Sequence, residues 1–545
     1  MVTDPTSTPG SLVAAASQGH APWLDQPSIV AEVEALRQRF SDPALCVADL
    51  LCDNHPPTDT AFIVVDRDLR AQPLSYGELA EQSRRMAGVL ADRGIGPGAR
   101  VGVLMAKARQ LPIVLLALWR LGAVQIPLFT AFAGPAIAMR VRCGKAQLII
   151  ADPDQTPKLD GIEIPVLQAG ATLDALIAAH APSAHKERIG RDGVFIQLYT
   201  SGTTGAPKGV AVPAFAIASF IAYMRYGFGV AADDVFWNGA DPGWAYGLYY
   251  AVVGPLAIGR PNVLLASAFS PAVVQQVVDG LGVTNFASAP TAYRALRRDG
   301  VRFARRLRAA SSAGEPLTPD ITAWSLEALG CMVRDHWGQT EQGMAIVNCW
   351  DPRLQRPVPA GSMGQPMPGF VAGTLDSAIV LATRHSPLMW FTGYVGDPEK
   401  TRERFTPDGQ WYLTGDAGRH DGSDFFFASR DDDVILASGY RISPFDIESI
   451  LATDPAVAEV AVVGRRHADA VSGEVIEAFV ILNPGAGAED VAPRLQELAR
   501  NQYGAHGYPR KVHMVAALPK TPSGKVQRVV LRGLSDDEVA AMALR

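Results

Sequence analysis

The sequence has few of the features that mark secreted, membrane-spanning or nucleic-acid-binding proteins. Its 545 residues include only five cysteines, an odd number with no Cys-x-x-Cys pair, so we expect reduced thiols and a cytoplasmic protein. The net charge of −6 provides no overall basic footprint. The most apolar run, Leu111–Trp119, is too short to cross a bilayer, and no signal peptide is expected. We therefore expect neither a membrane span nor a nucleic-acid partner.

A regular alternation of apolar strands and helices runs through a chain that is longer than one ordinary domain. The patterns of Val101–Met105, Val124–Leu128 and Gln147–Ala151 predict strands. Helices are predicted between them, at Leu111–Leu121 and Ala136–Cys143. This α/β alternation favours a mostly parallel sheet covered by helices on both faces, with binding loops at the carboxyl ends of the strands.

The two ends of the chain differ from its centre. Met1–Gln26 is rich in Ser, Thr, Pro, Ala and Gly, so we expect it to be loosely ordered. The C-terminal part reads as a small α/β unit, with strands near Val457–Val463 and Glu477–Leu482 and a helix near Val491–Asn501. We place the domain boundary at Arg430–Asp433.

One stretch, Tyr199–Gly209, combines Gly, Ser and Thr residues with a lysine and follows a predicted buried strand, Val194–Leu198. Glycines allow the backbone to turn tightly, hydroxyl groups donate hydrogen bonds, and Lys208 adds a positive charge, a combination suited to a polyphosphate. The stretch is not a Walker-type P-loop, because Pro207 precedes the lysine and Gly209, rather than Ser or Thr, follows it. A different ATP chemistry is therefore predicted.

Five further motifs are ordinary loop features when each is taken alone. They are Ser-Ser-Ala-Gly-Glu-Pro-Leu at 311–317, Asp-His-Trp-Gly-Gln-Thr-Glu at 335–341, Tyr-Leu-Thr-Gly-Asp at 412–416, Ser-Arg-Asp-Asp-Asp-Val at 429–434 with Ala-Ser-Gly-Tyr-Arg-Ile at 437–442, and Leu-Pro-Lys-Thr-Pro-Ser-Gly-Lys-Val-Gln-Arg at 518–528. In this order, together with 199–209, they resemble the motifs of the adenylate-forming (AMP-binding) superfamily, and most closely those of acetyl- and medium-chain acyl-CoA synthetases. Gly122–Asp152, which includes Arg140, also resembles acyl-CoA synthetases.

The resemblance implies a two-domain architecture of the α/β class. A large N-terminal domain with mostly parallel, helix-covered sheets, residues 27–430, would bind ATP and the acyl substrate. A hinge at 431–434, centred on Asp432, would connect it to a small mobile α/β domain, residues 435–545, that carries the catalytic lysine.

The resemblance also implies roles for individual residues. Lys208, Lys525, Thr340 and Glu341 would be catalytic, and Glu341 would hold Mg²⁺, a metal that prefers oxygen ligands. The residues expected to bind ATP are Thr200, Ser201, Gly202, Thr203, Thr204, Gly205, Lys208, Gly314, Glu315, Pro316, Asp335, His336, Trp337, Gly338, Gln339, Thr340, Asp416, Arg430 and Arg441. Those expected to line the CoA tunnel are Ser438, Gly439 and Tyr440.

The acyl pocket implied by the resemblance comprises Trp244, Ala245, Tyr246, Ala313 and Gly338. Three of these five residues, the two alanines and the glycine, are small. Relatives specific for acetate carry a tryptophan at the position of Gly338, where it closes the pocket. Glycine in its place is expected to free room for several methylenes, each contributing about 0.8 kcal/mol of burial.

The implied activity is that of an AMP-forming acid–CoA ligase, which uses ATP, Mg²⁺ and CoA to activate a carboxylic acid larger than acetate, most simply a short- or medium-chain fatty acid. Tyr246 leaves an aryl acid as an alternative substrate, since its ring could define a flat pocket. An adenylation enzyme that loads a separate carrier protein, or a non-catalytic acyl-nucleotide-binding relative, is a competing interpretation. The sequence does not indicate the oligomeric state.

Overall fold

The computed structural model describes residues 21–200, 208–430, 433–437, 440–466, 474–504, 507–521 and 524–542, with the side chains of residues 436, 440 and 441 left out. Within these residues the strands form five sheets. The helices are α1 Pro27–Arg39, α2 Tyr76–Ala91, α3 Gln110–Arg120, α4 Gly134–Cys143, α5 Ala171–Ala179, α6 Ala216–Ala222, α7 Ala245–Gly247, α8 Gly254–Ile258, α9 Pro271–Leu281, α10 Pro290–Arg298, α11 Pro319–Ala328, α12 Pro398–Arg402, α13 Pro444–Leu451, α14 Val491–Gln502, α15 Arg528–Gly533 and α16 Asp536–Met542.

A six-stranded sheet has the order β6-β5-β3-β4-β7-β8 and is parallel except for its last pair. Its core strands are apolar and buried, which is why the flanking helices α2 and α3 pack on it. Ser75 and Glu78 form a capping box at the start of α2. The strands are β3 Arg100–Leu104, β4 Val124–Pro127, β5 Leu148–Ala151, β6 Val166–Gln168, β7 Val194–Thr200 and β8 Lys208–Pro213.

A nine-stranded sheet has the order β15-β14-β13-β12-β11-β9-β10-β1-β2, with a parallel centre and antiparallel edges. The parallel strands β11, β12 and β13 end on the same side of the sheet. Motif 311–317 covers the end of β12 and the loop after it, and motif 335–341 covers most of β13 and the turn after it. The strands are β1 Thr60–Val65, β2 Ala71–Ser75, β9 Phe236–Asn238, β10 Asn262–Leu265, β11 Asn285–Ser288, β12 Ala309–Ala313, β13 Arg334–Gln339, β14 Gly343–Val347 and β15 Gln365–Pro366.

An antiparallel four-stranded sheet, β16-β17-β18-β19, carries the motif at 412–416. Asp376 and Ser377 both have positive φ and connect β16 to β17 by a two-residue turn, the tightest hairpin connection. The strands are β16 Ala372–Leu375, β17 Ala378–Ala382, β18 Trp411–Asp421 and β19 Asp424–Arg430.

The C-terminal part contains two small sheets. One is the hairpin β20 Ile435–Ala437 and β21 Tyr440–Ile442, and the other has the order β22-β23-β24. The strands of this second sheet are β22 Val457–Arg465, β23 Val475–Leu482 and β24 Lys511–Met514. Helices α13 and α14 pack against it. The two strands and the helix predicted in this part of the chain are therefore confirmed.

The expectation of a loosely ordered N-terminal segment is wrong for residues 21–26. Pro22–Asp25 forms a 3₁₀ helix, and Trp23 is 3% exposed. Its indole N–H donates to the carbonyl oxygen of Phe370 over 2.8 Å, so a single aromatic anchor orders the segment. Residues 1–20 lie outside the described part of the chain.

None of the helices in the described part of the chain is both long and apolar enough to cross a bilayer. The five cysteines, all among the described residues, are unpaired thiols, which agrees with the expectation from their spacing.

Candidate active site

A cavity of about 1200 Å³ lies where the three large sheets meet the C-terminal part of the chain. The loops after the parallel strands supply one side, and the segment around Lys525 supplies the other. The predicted site residues that line the cavity are Thr200, Lys208, Trp244, Ala245, Gly314, Glu315, Pro316, Asp335, His336, Trp337, Gly338, Gln339, Thr340, Glu341, Asp416, Arg430 and Lys525. Residues from six distant motifs are thus brought together.

The phosphate-loop stretch is held at both ends by the edge pair β7–β8, in which Thr200 pairs with Lys208. The ammonium nitrogen of Lys208 lies 5.1 Å from the centre of the Tyr394 ring. Burial lowers the pKa of Lys208, and the neighbouring cation Arg404 lowers it further. A lysine that loses hydration in this way gains from an anionic ligand.

Asp416 is 5% exposed, and two donors hold its carboxylate in place. Its Oδ2 accepts hydrogen bonds from the Trp337 indole over 3.0 Å and from the Gln339 amide over 2.9 Å. The Nε of Arg430 lies 3.7 Å from Oδ1. Burial raises the pKa of Asp416, while Arg430 and the two hydrogen bonds oppose the rise. The carboxylate is therefore oriented to accept hydrogen bonds from hydroxyl groups in the cavity.

Glu341 is buried, with 7% of its surface exposed, and its Oε1 accepts a hydrogen bond from the Tyr394 hydroxyl over 2.8 Å. The same hydroxyl oxygen accepts from Nε of Arg404 over 3.2 Å. These contacts fix Glu341 beside Thr340 at the end of β13. Within the described residues no cluster of three metal-ligating side chains occurs, so a cation here would depend on substrate oxygens for its other ligands.

His336 lines the cavity, and both nitrogens of its ring form hydrogen bonds within the protein. Its Nε2 donates to the carbonyl oxygen of Asn348 over 3.1 Å, so Nδ1 accepts from the hydroxyl of Tyr223 over 2.6 Å. Burial lowers the pKa of His336 to about 3, and the ring stays neutral. With both nitrogens engaged, only its backbone remains to face a ligand.

The neighbouring Asp335 has one engaged and one unengaged carboxylate oxygen. Its Oδ2 accepts from the backbone N–H of Leu317 over 3.1 Å, and Oδ1 has no partner among the described residues. Burial raises the pKa of Asp335 to about 8. A buried oxygen without a partner at the cavity wall favours a ligand that supplies a donor.

Lys525 reaches from the C-terminal part across the cavity to the N-terminal loops. A Cβ placed on Gly314 would lie 3.9 Å from Cε of Lys525 and 3.7 Å from the indole of Trp244. Gly524, with φ of +91°, would bring its own Cβ within 3.2 Å of Thr291, so the lysine loop packs directly on α10. The cavity walls displace bulk water around the ammonium and lower the pKa of Lys525, although the side chain keeps access to solvent in the cavity.

The predicted acyl pocket is present only in part. Trp244, Ala245 and Gly338 line the cavity, whereas Tyr246 and Ala313, which are 3% and 0% exposed, do not. Contact of these two residues with the acyl group stays a prediction. The Tyr246 hydroxyl lies 3.4 Å from that of Tyr223, inside an aromatic cluster behind the wall.

Gly338 also differs from its expected role. A Cβ at this position would lie 2.2 Å from the carbonyl oxygen of Gly343 and 2.6 Å from Cα of Met344, on the adjacent strand β14. The β13–β14 register shifts at this point. The glycine is thus needed for the close approach of two strands, and not only for open space in the cavity.

Several predicted site residues lie outside the described part of the chain. They are Ser201, Gly202, Thr203, Thr204, Gly205, Asp432, Ser438 and Gly439. The backbone of Tyr440 and Arg441 belongs to β21, but their side chains are not described.

Sequence reasoning missed Tyr394, Arg404 and Arg294. Tyr394 and Arg404 support Glu341, and Arg294 donates to the carboxylate of Glu315 over 2.7 Å. These residues lie outside the short motifs and meet the site only through tertiary packing. Their only sequence signal is the charge of the arginines, which surface arginines share.

The chain matches the model of the AMP-binding enzyme family over residues 52–378 and that of the AMP-binding enzyme C-terminal domain over residues 446–525. It is 32% identical to an acetyl-coenzyme A synthetase of Bacillus subtilis, covering 85% of each chain. It is 31% identical to the human mitochondrial acyl-coenzyme A synthetase ACSM3, covering 87% of this chain and 86% of that protein.

Two solved structures extend the comparison. An acyl-CoA synthetase of Brucella canis is 37% identical with a TM-score of 0.72, covering 94% of this chain and 97% of that one. A benzoate CoA ligase of Burkholderia xenovorans is 26% identical with a TM-score of 0.78, covering 90% of this chain and 100% of that one. The fold, the convergent motifs and these matches define an adenylate-forming enzyme, and the chain belongs to the AMP-binding enzyme family. Its activity is that of an AMP-forming acid–CoA ligase.

Proposed function

We propose that this ligase activates a carboxylic acid larger than acetate, most simply a short- or medium-chain fatty acid, and transfers the acyl group to CoA. The observation that carries the proposal is that Ala245 and Gly338, two residues with little or no side chain, line the cavity of about 1200 Å³. Each methylene buried there contributes about 0.8 kcal/mol. A longer acid therefore gains binding energy that acetate lacks.

In the first half-reaction a carboxylate oxygen of the acid attacks the α-phosphorus of ATP, the bond to the bridging oxygen breaks, and pyrophosphate leaves. Charge develops on the phosphoryl oxygens, so cations positioned in advance lower the barrier. Lys208 and Lys525 supply this charge from opposite sides of the cavity. Asp416 binds the ribose hydroxyls, and its fixed orientation supports that role.

We assign Mg²⁺ to Glu341. A magnesium ion in such sites is held by one or two carboxylates together with substrate phosphates and water, and a single buried, hydrogen-bonded carboxylate fits that donor set. When bound, the ion would neutralise phosphate charge during adenylation. Tyr394 keeps Glu341 turned toward the cavity.

In the second half-reaction the CoA thiolate attacks the acyl carbon and AMP leaves. Lys525 occupies the region near Gly314 and Trp244, which suits adenylation, so we propose that the segment beyond a hinge at Asp432 moves away to admit the thiol. Residues 27–430 and 435–545 would be the two domains that move relative to each other, with Ser438, Gly439 and Tyr440 lining the CoA tunnel.

An aryl acid is the second candidate substrate. The indole of Trp244 flanks the cavity, and the 26%-identical benzoate CoA ligase has the same fold. A flat ring stacked on an indole gains about 0.5–1.5 kcal/mol beyond its burial. This would favour benzoate over a linear acid of equal size.

The test is a panel of acids from acetate to octanoate, with benzoate, assayed for acid-dependent release of AMP and pyrophosphate in the presence of CoA. We expect kcat/KM to rise about tenfold from acetate to butanoate, as two buried methylenes imply. Preference for acetate over every longer or aromatic acid would contradict the proposed substrate. Replacing CoA with a pantetheinylated carrier protein tests the acceptor.

A further inference from the structure

Arg140 is a buried cation at the cavity wall without an acidic partner among the described residues. It lies on α4 with 7% of its surface exposed and lines the cavity. Its Nη1 donates to the carbonyl oxygen of Ala136 over 2.8 Å, within its own helix. Burial alone lowers the pKa of Arg140, and no carboxylate in the described part of the chain counters that effect.

The surroundings of this guanidinium are largely apolar. Its central carbon lies 4.0 Å from the centre of the Phe132 ring, a cation–π contact that offsets only part of the lost hydration. The cavity wall around it, here named the Arg140 wall, consists of Phe129, Phe132, Ala136, Met139, Arg140 and Tyr199. A desolvated cation without a counter-charge is expensive unless a ligand supplies that charge.

The position of the Arg140 wall identifies the chemistry of the ligand. Tyr199 belongs to the wall, and Thr200, the next residue, ends β7 where the phosphate-loop stretch begins. A planar guanidinium binds phosphoryl oxygens through paired N–H donors better than an ammonium does. Arg294, by contrast, is paired with a carboxylate, and Arg404 is engaged by the Tyr394 hydroxyl and by two backbone carbonyl groups. The guanidinium of Arg140 is thus suited to a phosphoryl group that enters the cavity.

We propose that Arg140 binds a phosphoryl group of one of the two polyphosphate-bearing substrates of the reaction, ATP (or its pyrophosphate product) or CoA. The inference rests on the proposed function and deepens it by assigning a substrate-binding residue outside the recognised motifs. Arg140 contributes affinity and orientation, and the aromatic side chains of the wall exclude water from the contact.

The experiment measures binding of sodium pyrophosphate and, separately, of CoA by titration calorimetry to the wild type and to Arg140→Gln and Arg140→Lys. Loss of one charged hydrogen-bonded contact weakens binding about tenfold or more. We expect this loss for one of the two probes in Arg140→Gln and a smaller loss in Arg140→Lys, which keeps the charge but not the planar fork. The probe affected identifies the source of the phosphoryl group.

Arg142→Gln is the matched control, because Arg142 is an exposed arginine on the same helix and does not line the cavity. Thermal melting of each variant checks that it folds. If Arg140→Gln does not fold, Arg140→Lys still provides the binding comparison. Wild-type affinity of both Arg140 variants for both probes would overturn the inference. Failure of the wild type to release pyrophosphate with any acid would instead contradict the proposed function, and the binding comparison would still report on Arg140.

Discussion

Single residues at the cavity are polar groups held away from water by specific partners. Asp416 accepts from Trp337 and Gln339, and His336 is fixed between Tyr223 and Asn348. Buried polar groups of this kind fix one geometry, because losing a partner leaves an unsatisfied atom. Burial also shifts the pKa values of these groups, so their environment can be probed through the pH dependence of stability.

We predict that His336 makes the fold sensitive to acid. Its pKa is about 3 in the folded protein and about 6.5 when unfolded, so the unfolded chain binds more protons between these values. Stability is fully present above about pH 6.5 and falls as the pH drops toward 3, by up to about 1.4 kcal/mol per pH unit from this group. Denaturant unfolding between pH 7 and 4 measures it.

The matched comparison is His336→Gln, which cannot take up a proton. Its stability should depend less steeply on pH than that of the wild type over the same window. Parallel curves for the two proteins would show that His336 is not held neutral.

At the scale of elements, the pair β13–β14 carries the motif at 335–341. Residues 334–339 form its first strand, and Glu341 lies in the turn between the two strands. The irregular register at Gly338 requires a residue without a Cβ. A side chain at position 338 therefore affects strand pairing as well as the space in the cavity.

We predict that Gly338→Ala destabilises the protein by about 1–3 kcal/mol, the usual effect of overpacking, because the added Cβ would meet the backbone of β14. Denaturant unfolding checks this. Gly96→Ala is the control, since a Cβ there meets nothing within 4 Å. Equal free energies of unfolding for the two variants would mean that β14 shifts to accept the added Cβ without loss of stability.

A second element-scale feature is an ion-pair network that connects the segment after Lys525 to Glu448 and Asp433. Arg528, at the start of α15, forms hydrogen bonds of 2.8 and 2.9 Å to both carboxylate oxygens of Glu448. It also lies 3.6 Å from Asp433, which binds Arg532 over 2.8 Å. Glu448 itself is 6% exposed. Arg528 is three residues from Lys525, so we propose that the network positions that lysine.

We predict that Glu448→Gln lowers adenylation about 10²-fold, because a small displacement of a positioned group has effects of that size. Thioester formation from supplied acyl-AMP should change much less. Asp454→Asn, which breaks a comparable pair with Arg494 in the same part of the chain, is the control and should leave both rates near the wild type. Equal loss in both half-reactions would assign Glu448 a purely structural role.

The elements could largely be predicted from sequence, since apolar periodicity and caps are local signals. The boundaries of α3 and β7 agree with the patterns within about two residues. The support of Glu341 by Tyr394 and Arg404 could not be predicted, because it joins segments more than 50 residues apart that no motif links. The ordered structure of residues 21–26 could not be predicted from composition. It depends on one buried tryptophan, Trp23, whose contact with Phe370 is not visible in the sequence.

On the scale of the whole molecule, the described residues of the N- and C-terminal parts contact each other at several places. Gly524 packs on Thr291, Lys525 approaches Gly314, and the rings of Phe427 and Phe445 lie 6.2 Å apart. Contacts between domains of one chain commonly allow one part to move against the other. We therefore treat Lys525 as a group that enters the cavity for adenylation and leaves it for thioester formation.

The most direct test is to measure the two half-reactions separately in Lys525→Ala. Acid-dependent exchange of pyrophosphate into ATP reports adenylation, and CoA-dependent consumption of supplied acyl-AMP reports thioester formation. We predict that adenylation falls about 10²–10³-fold, the usual effect of losing one charge contact at the reacting group. Thioester formation should stay near the wild-type rate, and Lys520→Ala, whose ammonium instead pairs with Glu459 over 2.6 Å, should change neither rate greatly. An equal loss of both half-reactions in Lys525→Ala would contradict the entry and departure of this lysine.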